Sequence, residues 1–84
     1  MSFEVGITEP ALKELKKLEH GMQVRIVAAL TRIRIRPGAY VTKLVGDPRF
    51  KLRVSDFRVL IELDRTNQRI LVHRIAHRKN VYDF

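Results

Sequence analysis

Two segments of the 84-residue chain collect side chains suited to anion chemistry. In the first, Arg49, Lys51 and Arg53 alternate with Phe50, Leu52 and Val54, and Arg58 follows beyond Ser55-Asp56. In the second, His77-Arg78-Lys79 precedes Tyr82. Together these types match what cleaving RNA through its own 2′-OH demands. That reaction needs a group to take the hydroxyl proton, cations to offset charge on the phosphorane, and an acid for the leaving 5′-oxygen. Arginine supplies charge but is a poor acid, since its pKa lies above about 12. Tyrosine becomes a base only where neighbouring cations pull its pKa down from about 10, and a ring of Arg and Lys is such a setting. Taken singly, His77 also fits a surface or capping histidine, and Tyr82 an anchor for a loose C-terminus.

The elements that would hold these groups are legible in the hydropathy pattern. From Arg49 to Val54 and from Phe57 to Leu63 the period is two, which is that of strands. With Ser55-Asp56 as a two-residue hairpin loop, Val54 faces Phe57, Arg53 faces Arg58, Leu52 faces Val59 and Lys51 faces Leu60. Phe50, Leu52, Val54, Phe57, Val59 and Ile61 then share one face, and Arg49, Lys51, Arg53 and Arg58 the other. Like charges directly opposed cost up to about 1 kcal/mol per pair. An ordinary solvated sheet face carries mixed signs, whereas here only Glu62 interrupts the cations. The pattern predicts an anion-binding surface.

Upstream, Phe3, Val5 and Ile7 alternate as a first strand. Thr8-Glu9-Pro10 is a helix start. Leu12, Leu15 and Leu18 continue at helical spacing through Glu19, and His20-Gly21 is expected to break the helix. A second helix is expected from Met22, with Ile26, Leu30 and Ile33 on its apolar side, ending at Arg36-Pro37-Gly38. The short connection makes the two an antiparallel hairpin. Residues 39–45 are poorly defined, Gly46-Asp47-Pro48 and residues 64–68 are turns, and Ile70 to Ile75 could be buried on both faces. The order β-α-α-β-β-β gives an α+β fold with the helical hairpin on one face of a mostly antiparallel sheet.

Length allows one domain, residues 1–84. Seventeen Lys+Arg against nine Asp+Glu give a net charge of +8, and Arg outnumbers Lys eleven to six. Such a chain favours polyanions or an acidic protein. The absence of cysteine excludes a disulfide framework, a cysteine zinc site and a thiol nucleophile. His20, His73 and His77 lack metal-site spacing with carboxylates, and no Gly-rich phosphate loop or Ser-His-Asp pattern occurs. No apolar run would span a membrane and the N-terminus lacks signal-peptide character, so a cytoplasmic protein is expected.

The stretch KLVGDPRFKLRVSDFRVL (residues 43–60), followed by HRKNVY (77–82) and preceded by ALKELKKL (11–18), resembles toxins of the RelE/ParE superfamily. The resemblance covers nearly the whole chain. It implies a small type II toxin with a helical hairpin on a curved sheet. RelE-like members are ribosome-dependent endoribonucleases that cut mRNA in the A site by 2′-OH attack, with no metal or cofactor. Their active positions carry over to Lys51, Arg53, Arg58, Arg78 and Tyr82, with Tyr82 as base and Arg78 on the leaving-group side. Arg49, Lys43, His77 and Lys79 are the accompanying RNA contacts. Arg53 stands where the best-known RelE has lysine, which keeps the charge and loses a tunable proton; the hairpin is also one residue shorter at its turn. The resemblance implies an acidic, RelB-like antitoxin partner as well, fitted to the +8 charge. Two other functions fit the same chain: ParE-like inhibition of DNA gyrase, and a noncatalytic nucleic-acid-binding module that would tolerate Tyr82→Phe.

Overall fold

The computed structural model describes residues 2–80. Strand β1 (Glu4–Ile7) leads into helices α1 (Glu9–Lys16) and α2 (His20–Ile33). A 3₁₀ turn (Pro37–Ala39) precedes β2 (Val41–Lys43), β3 (Phe50–Val54), β4 (Phe57–Asp64) and β5 (Arg69–His77), and a second 3₁₀ turn covers Arg78–Asn80. The five strands lie in the order β1-β5-β4-β3-β2. β1 runs parallel to β5 and every other pair is antiparallel. The α+β order expected from the sequence is present.

Thr8 fastens the first helix to the sheet. Its Oγ1 accepts from the Ala11 amide at 3.4 Å and donates to the His73 carbonyl at 3.1 Å, while its own amide donates to Val72 at 3.0 Å. One residue thus caps α1 and sets it against β5. α1 ends at Lys16, short of the expected Glu19, and α2 starts at His20 rather than near Met22. Gly21 therefore lies inside the first turn of α2. Glycine's penalty belongs to helix interiors; in a first turn the amides lack intrahelical partners in any case. α2 ends at Ile33, before the expected Arg36. There Arg34 donates from Nε to the Phe3 carbonyl at 2.9 Å, and the Phe3 amide donates back to the Arg34 carbonyl at 2.7 Å. The carbonyl that follows the helix is thus satisfied by Phe3, the residue before β1.

The core lies between the helices and one sheet face. Ala11 and Leu15 of α1 and Ile26, Ala29, Leu30 and Ile33 of α2 pack on Leu52, Val54, Val59, Ile61, Ile70, Val72 and Ile75. The expected apolar face of the β3–β4 hairpin is this face, with Phe50 and Phe57 at its margins. β5 departs from expectation. Its residues are not buried on both faces: Ile70, Val72 and Ile75 are buried, Leu71 and His73 half-buried, and Arg74 exposed. The reason is a bulge. Leu60 pairs with Arg74 and Ile61 with Val72, leaving His73 as the additional residue and shifting the inward positions by one. The Ile75 amide just beyond donates to Glu14 Oε1 of α1 at 2.9 Å, and Arg74 forks onto the same carboxylate at 3.1–3.2 Å. The irregular part of β5 is thereby tied to the first helix.

Candidate functional site

The β3–β4 hairpin turns at Ser55-Asp56 with the expected register: Lys51 opposite Leu60, Arg53 opposite Arg58, Val54 opposite Phe57. Ser55 has φ 54° while Asp56 stays in the ordinary region, which is the pattern of a type II′ turn. This tight turn forces Arg53 and Arg58 side by side on the face away from the helices.

Among the described residues, the cations of this face are held without carboxylates. Arg58 Nη1 donates to the Ser55 carbonyl at 3.2 Å and the Phe57 carbonyl at 3.0 Å, so the guanidinium is braced by the turn's own backbone. Lys51, Arg53 and Arg58 have no ion pair among the described residues. With Tyr40 and Thr42 they line a shallow hollow of about 270 Å³. Thr42 reaches it because β2 pairs with β3, placing Thr42 opposite Lys51. Leu60, opposite Lys51 on the other side, is only 3% exposed yet stands outside the helix-side core. The row across this face is thus Thr42, Lys51, Leu60, a cation flanked by a hydroxyl and a buried apolar chain. Glu62, the acid that interrupts the pattern, binds His73 Nε2 at 2.8 Å and does not line the hollow.

Arg49 is placed differently. It precedes β3, and its Nε and Nη2 fork onto Asp47 at 3.0 and 2.6 Å, with its amide on Oδ1 at 2.8 Å. These hydrogen bonds from Arg49 push the Asp47 pKa down to about 2, and the Arg49 value rises in return. Its positive charge is therefore matched locally. A depressed carboxylate stabilises the fold above its unfolded pKa near 4 and loses that contribution as pH falls towards 2. Urea midpoints of wild type should accordingly drop between about pH 4 and 2, and Asp47→Asn should drop less over that window. Equal slopes for the two would remove the pair from the acid response.

The start of the tail is fixed at the hairpin turn. The Arg78 amide donates to the Asp56 carbonyl at 2.7 Å, and Arg78 Nε lies 3.8 Å from Asp56 Oδ1. His77 stands edge-on to Phe57, ring centres 5.3 Å apart, and its Nδ1 accepts from the Lys79 amide at 3.2 Å. Arg78 and Lys79 are exposed, as is Lys43 at the end of β2. Tyr82 lies outside the described residues. Tyr40, Thr42 and Leu60 are the neighbours not expected at the site from the sequence.

The sequence model described as ParE toxin of type II toxin-antitoxin system, parDE, matches residues 5–82. The chain belongs to this RelE/ParE family. No curated protein matches it. Among solved structures, the Mycobacterium tuberculosis RelBE2 toxin–antitoxin complex contains a chain similar at TM-score 0.85 and 21% identity, covering 92% of this chain and 99% of that one. The E. coli RelBE complex gives 0.79 and 21%, over 90% and 96% of the two chains. A mutant E. coli RelE bound to a peptide of the antitoxin RelB gives 0.76 and 26%, over 98% and 92%. The similar structures share this chain's overall fold, two helices on a mixed five-stranded sheet.

Proposed function

We propose that this RelE/ParE-family chain is the toxin of a type II toxin–antitoxin system and cuts mRNA in the ribosomal A site. The observation that carries this reading is the hollow in which Lys51, Arg53 and Arg58 converge with no carboxylate among the described lining residues. A gyrase inhibitor has no need of that combination; a phosphorane dianion does. The 2′-oxygen attacks the adjacent phosphorus, the O2′–P bond forms, the P–O5′ bond breaks, and a 2′,3′-cyclic phosphate and a 5′-hydroxyl result. Tyr82 takes the 2′-OH proton. Lys51, Arg53 and Arg58 offset the phosphate charge, and Arg78, tethered at the hairpin turn, offsets charge on the leaving 5′-oxygen, which takes its proton from water. Lys43, Arg49, His77 and Lys79 contact the RNA around the site. The scheme uses no metal or cofactor. The partner is an acidic RelB-like antitoxin, as the similar toxins solved with RelB suggest, and the place of action is the cytoplasm.

Purified chain added to programmed ribosomes should produce A-site ends in primer extension, in EDTA as well as in magnesium-restored buffer after subunit fixation. Tyr82→Phe should lower the rate about 10²-fold or more, the usual worth of an acid–base group. Ribosomes left uncut by wild type would end this reading. Because the matching family description is that of ParE, gyrase is the second target to assay: inhibited supercoiling with intact mRNA would assign the chain there.

A further inference from the structure

A second cationic recess lies on the helix side of the same hairpin. Arg25, Ala28, Ala29 and Arg32 of α2 line it together with Arg53, Val54 and Ser55. The spacing i, i+3, i+4, i+7 puts the four helix residues on one face. Two alanines between two arginines leave an open floor, with Ala29 buried beneath it, and the recess measures about 380 Å³. Arg25 Nη1 donates to Ser55 Oγ at 3.4 Å, which spans the recess from helix to turn. No carboxylate lines it, and neither Arg25 nor Arg32 has an ion pair among the described residues. Arg53 borders both this recess and the open-face hollow, so the two cationic surfaces are continuous around the β3–β4 turn.

We propose that the recess is a second phosphate site, which holds the sugar–phosphate backbone of RNA beyond the nucleotides in the hollow. The proposal rests on the nuclease reading and adds to it a binding surface on α2. Arginine matches the class of ligand, because its planar fork takes two phosphate oxygens at once. The Ser55 hydroxyl adds a neutral donor. Continuity through Arg53 favours a flexible polyanionic strand over a compact ligand. The phosphates could come from the mRNA strand or from ribosomal RNA, since both present the same diester.

The test is direct binding. Wild type, Arg25→Ala/Arg32→Ala and Arg25→Lys/Arg32→Lys are titrated with 2′-O-methyl RNA oligonucleotides, which 2′-OH attack cannot cut, and with vacant small ribosomal subunits. Two lost phosphate contacts on a single strand reduce the slope of log affinity against log salt by about 1.4. The double alanine variant should show that reduction and bind roughly tenfold or more weakly, while the double lysine variant keeps most of the slope. A loss with the oligonucleotides identifies mRNA as the source, and a loss confined to the subunits identifies ribosomal RNA. Unchanged slope and affinity on both probes overturn the proposal. So does a loss confined to binding of an acidic polypeptide such as polyglutamate, which would make the recess a protein site. Arg25 and Arg32 are exposed, and an unaltered thermal melt confirms that the variants fold. Since neither probe is cut, failure of wild type to cleave programmed ribosomes would end the nuclease reading and leave this measurement standing.

Discussion

Arg58→Ala is expected to slow single-turnover cleavage on programmed ribosomes by about 10²–10³-fold, the loss seen when one preorganised donor to a developing oxyanion is removed. The reason for singling out Arg58 is its brace. Lys51 and Arg53 have no ion pair among the described residues, whereas the Arg58 guanidinium is fixed by the Ser55 and Phe57 carbonyls. A donor already in place loses little freedom when the phosphate arrives, and so contributes more to the transition state. Arg58→Lys keeps the charge but loses the planar guanidinium whose Nη1 bonds both carbonyls while its other N–H groups stay directed outward, and should recover only part of the rate. Arg58→Ala carries an opposite expectation for stability. Arg53 and Arg58 are directly opposed, so removing one relieves repulsion of up to about 1 kcal/mol. Arg58→Ala should unfold at the same temperature as wild type or slightly higher. A rate loss below tenfold, or a rate loss accompanied by a clear drop in melting temperature, would take Arg58 out of the catalytic account.

Ile61→Ala should be the most damaging single change to the fold. Ile61 is fully buried on β4, between Phe50 of β3 and Val72 of β5, at the centre of the helix-facing layer. Truncating a buried isoleucine costs about 2–5 kcal/mol through lost transfer energy and the cavity left behind. A chain of this length has on the order of 4–13 kcal/mol to lose. The melting temperature should therefore fall by roughly 10–30 °C, read by circular dichroism, with the urea m-value unchanged. Ile61→Val, which removes one methylene, should cost only about 0.5–1.5 kcal/mol. Near-wild-type melting of Ile61→Ala would mean that the helices are not packed on this sheet face as described.

The hairpin was the most legible part of the chain, because two physical signals agree there. Alternation assigns Leu52, Val54, Val59 and Ile61 to one side, and Ser55-Asp56 suits only a short loop, so the register from Lys51 to Leu60 follows. The helix ends were less legible. Gly21 reads as a breaker in any sequence window, yet it costs little in a first turn, and α1 stops where the chain must reverse towards α2. β2 has three residues, too few to display a period, so its contribution of Thr42 and, just before it, Tyr40 to the hollow could not be anticipated. The bulge at His73 left no mark either, since an added residue in a β-branched run resembles continuous burial. Leu60 illustrates the same limit from the other side. Alternation sorted it with the cations, and it does lie on their face, but it is buried there, which depends on neighbours distant in sequence. Arg49 shares the alternation too, although the carboxylate two positions earlier holds its charge.

The two walls of the hollow differ in how firmly they are built. Arg53 and Arg58 stand on strands paired along five register positions and anchored beneath by Val54 and Val59. The opposite wall stands on β2, a three-residue strand at the border of the sheet, bonded to a neighbour on one side only. Such a segment opens by local fraying at a small fraction of the free energy of global unfolding. Amide exchange at Val41 to Lys43 should thus run far ahead of exchange at Leu52 or Val59. An RNA strand would then arrive against a rigid cationic surface on one side and a yielding flap on the other. Widening the hollow would cost the fold almost nothing, so shape on that side would be fitted to the ligand and charge on the other would not.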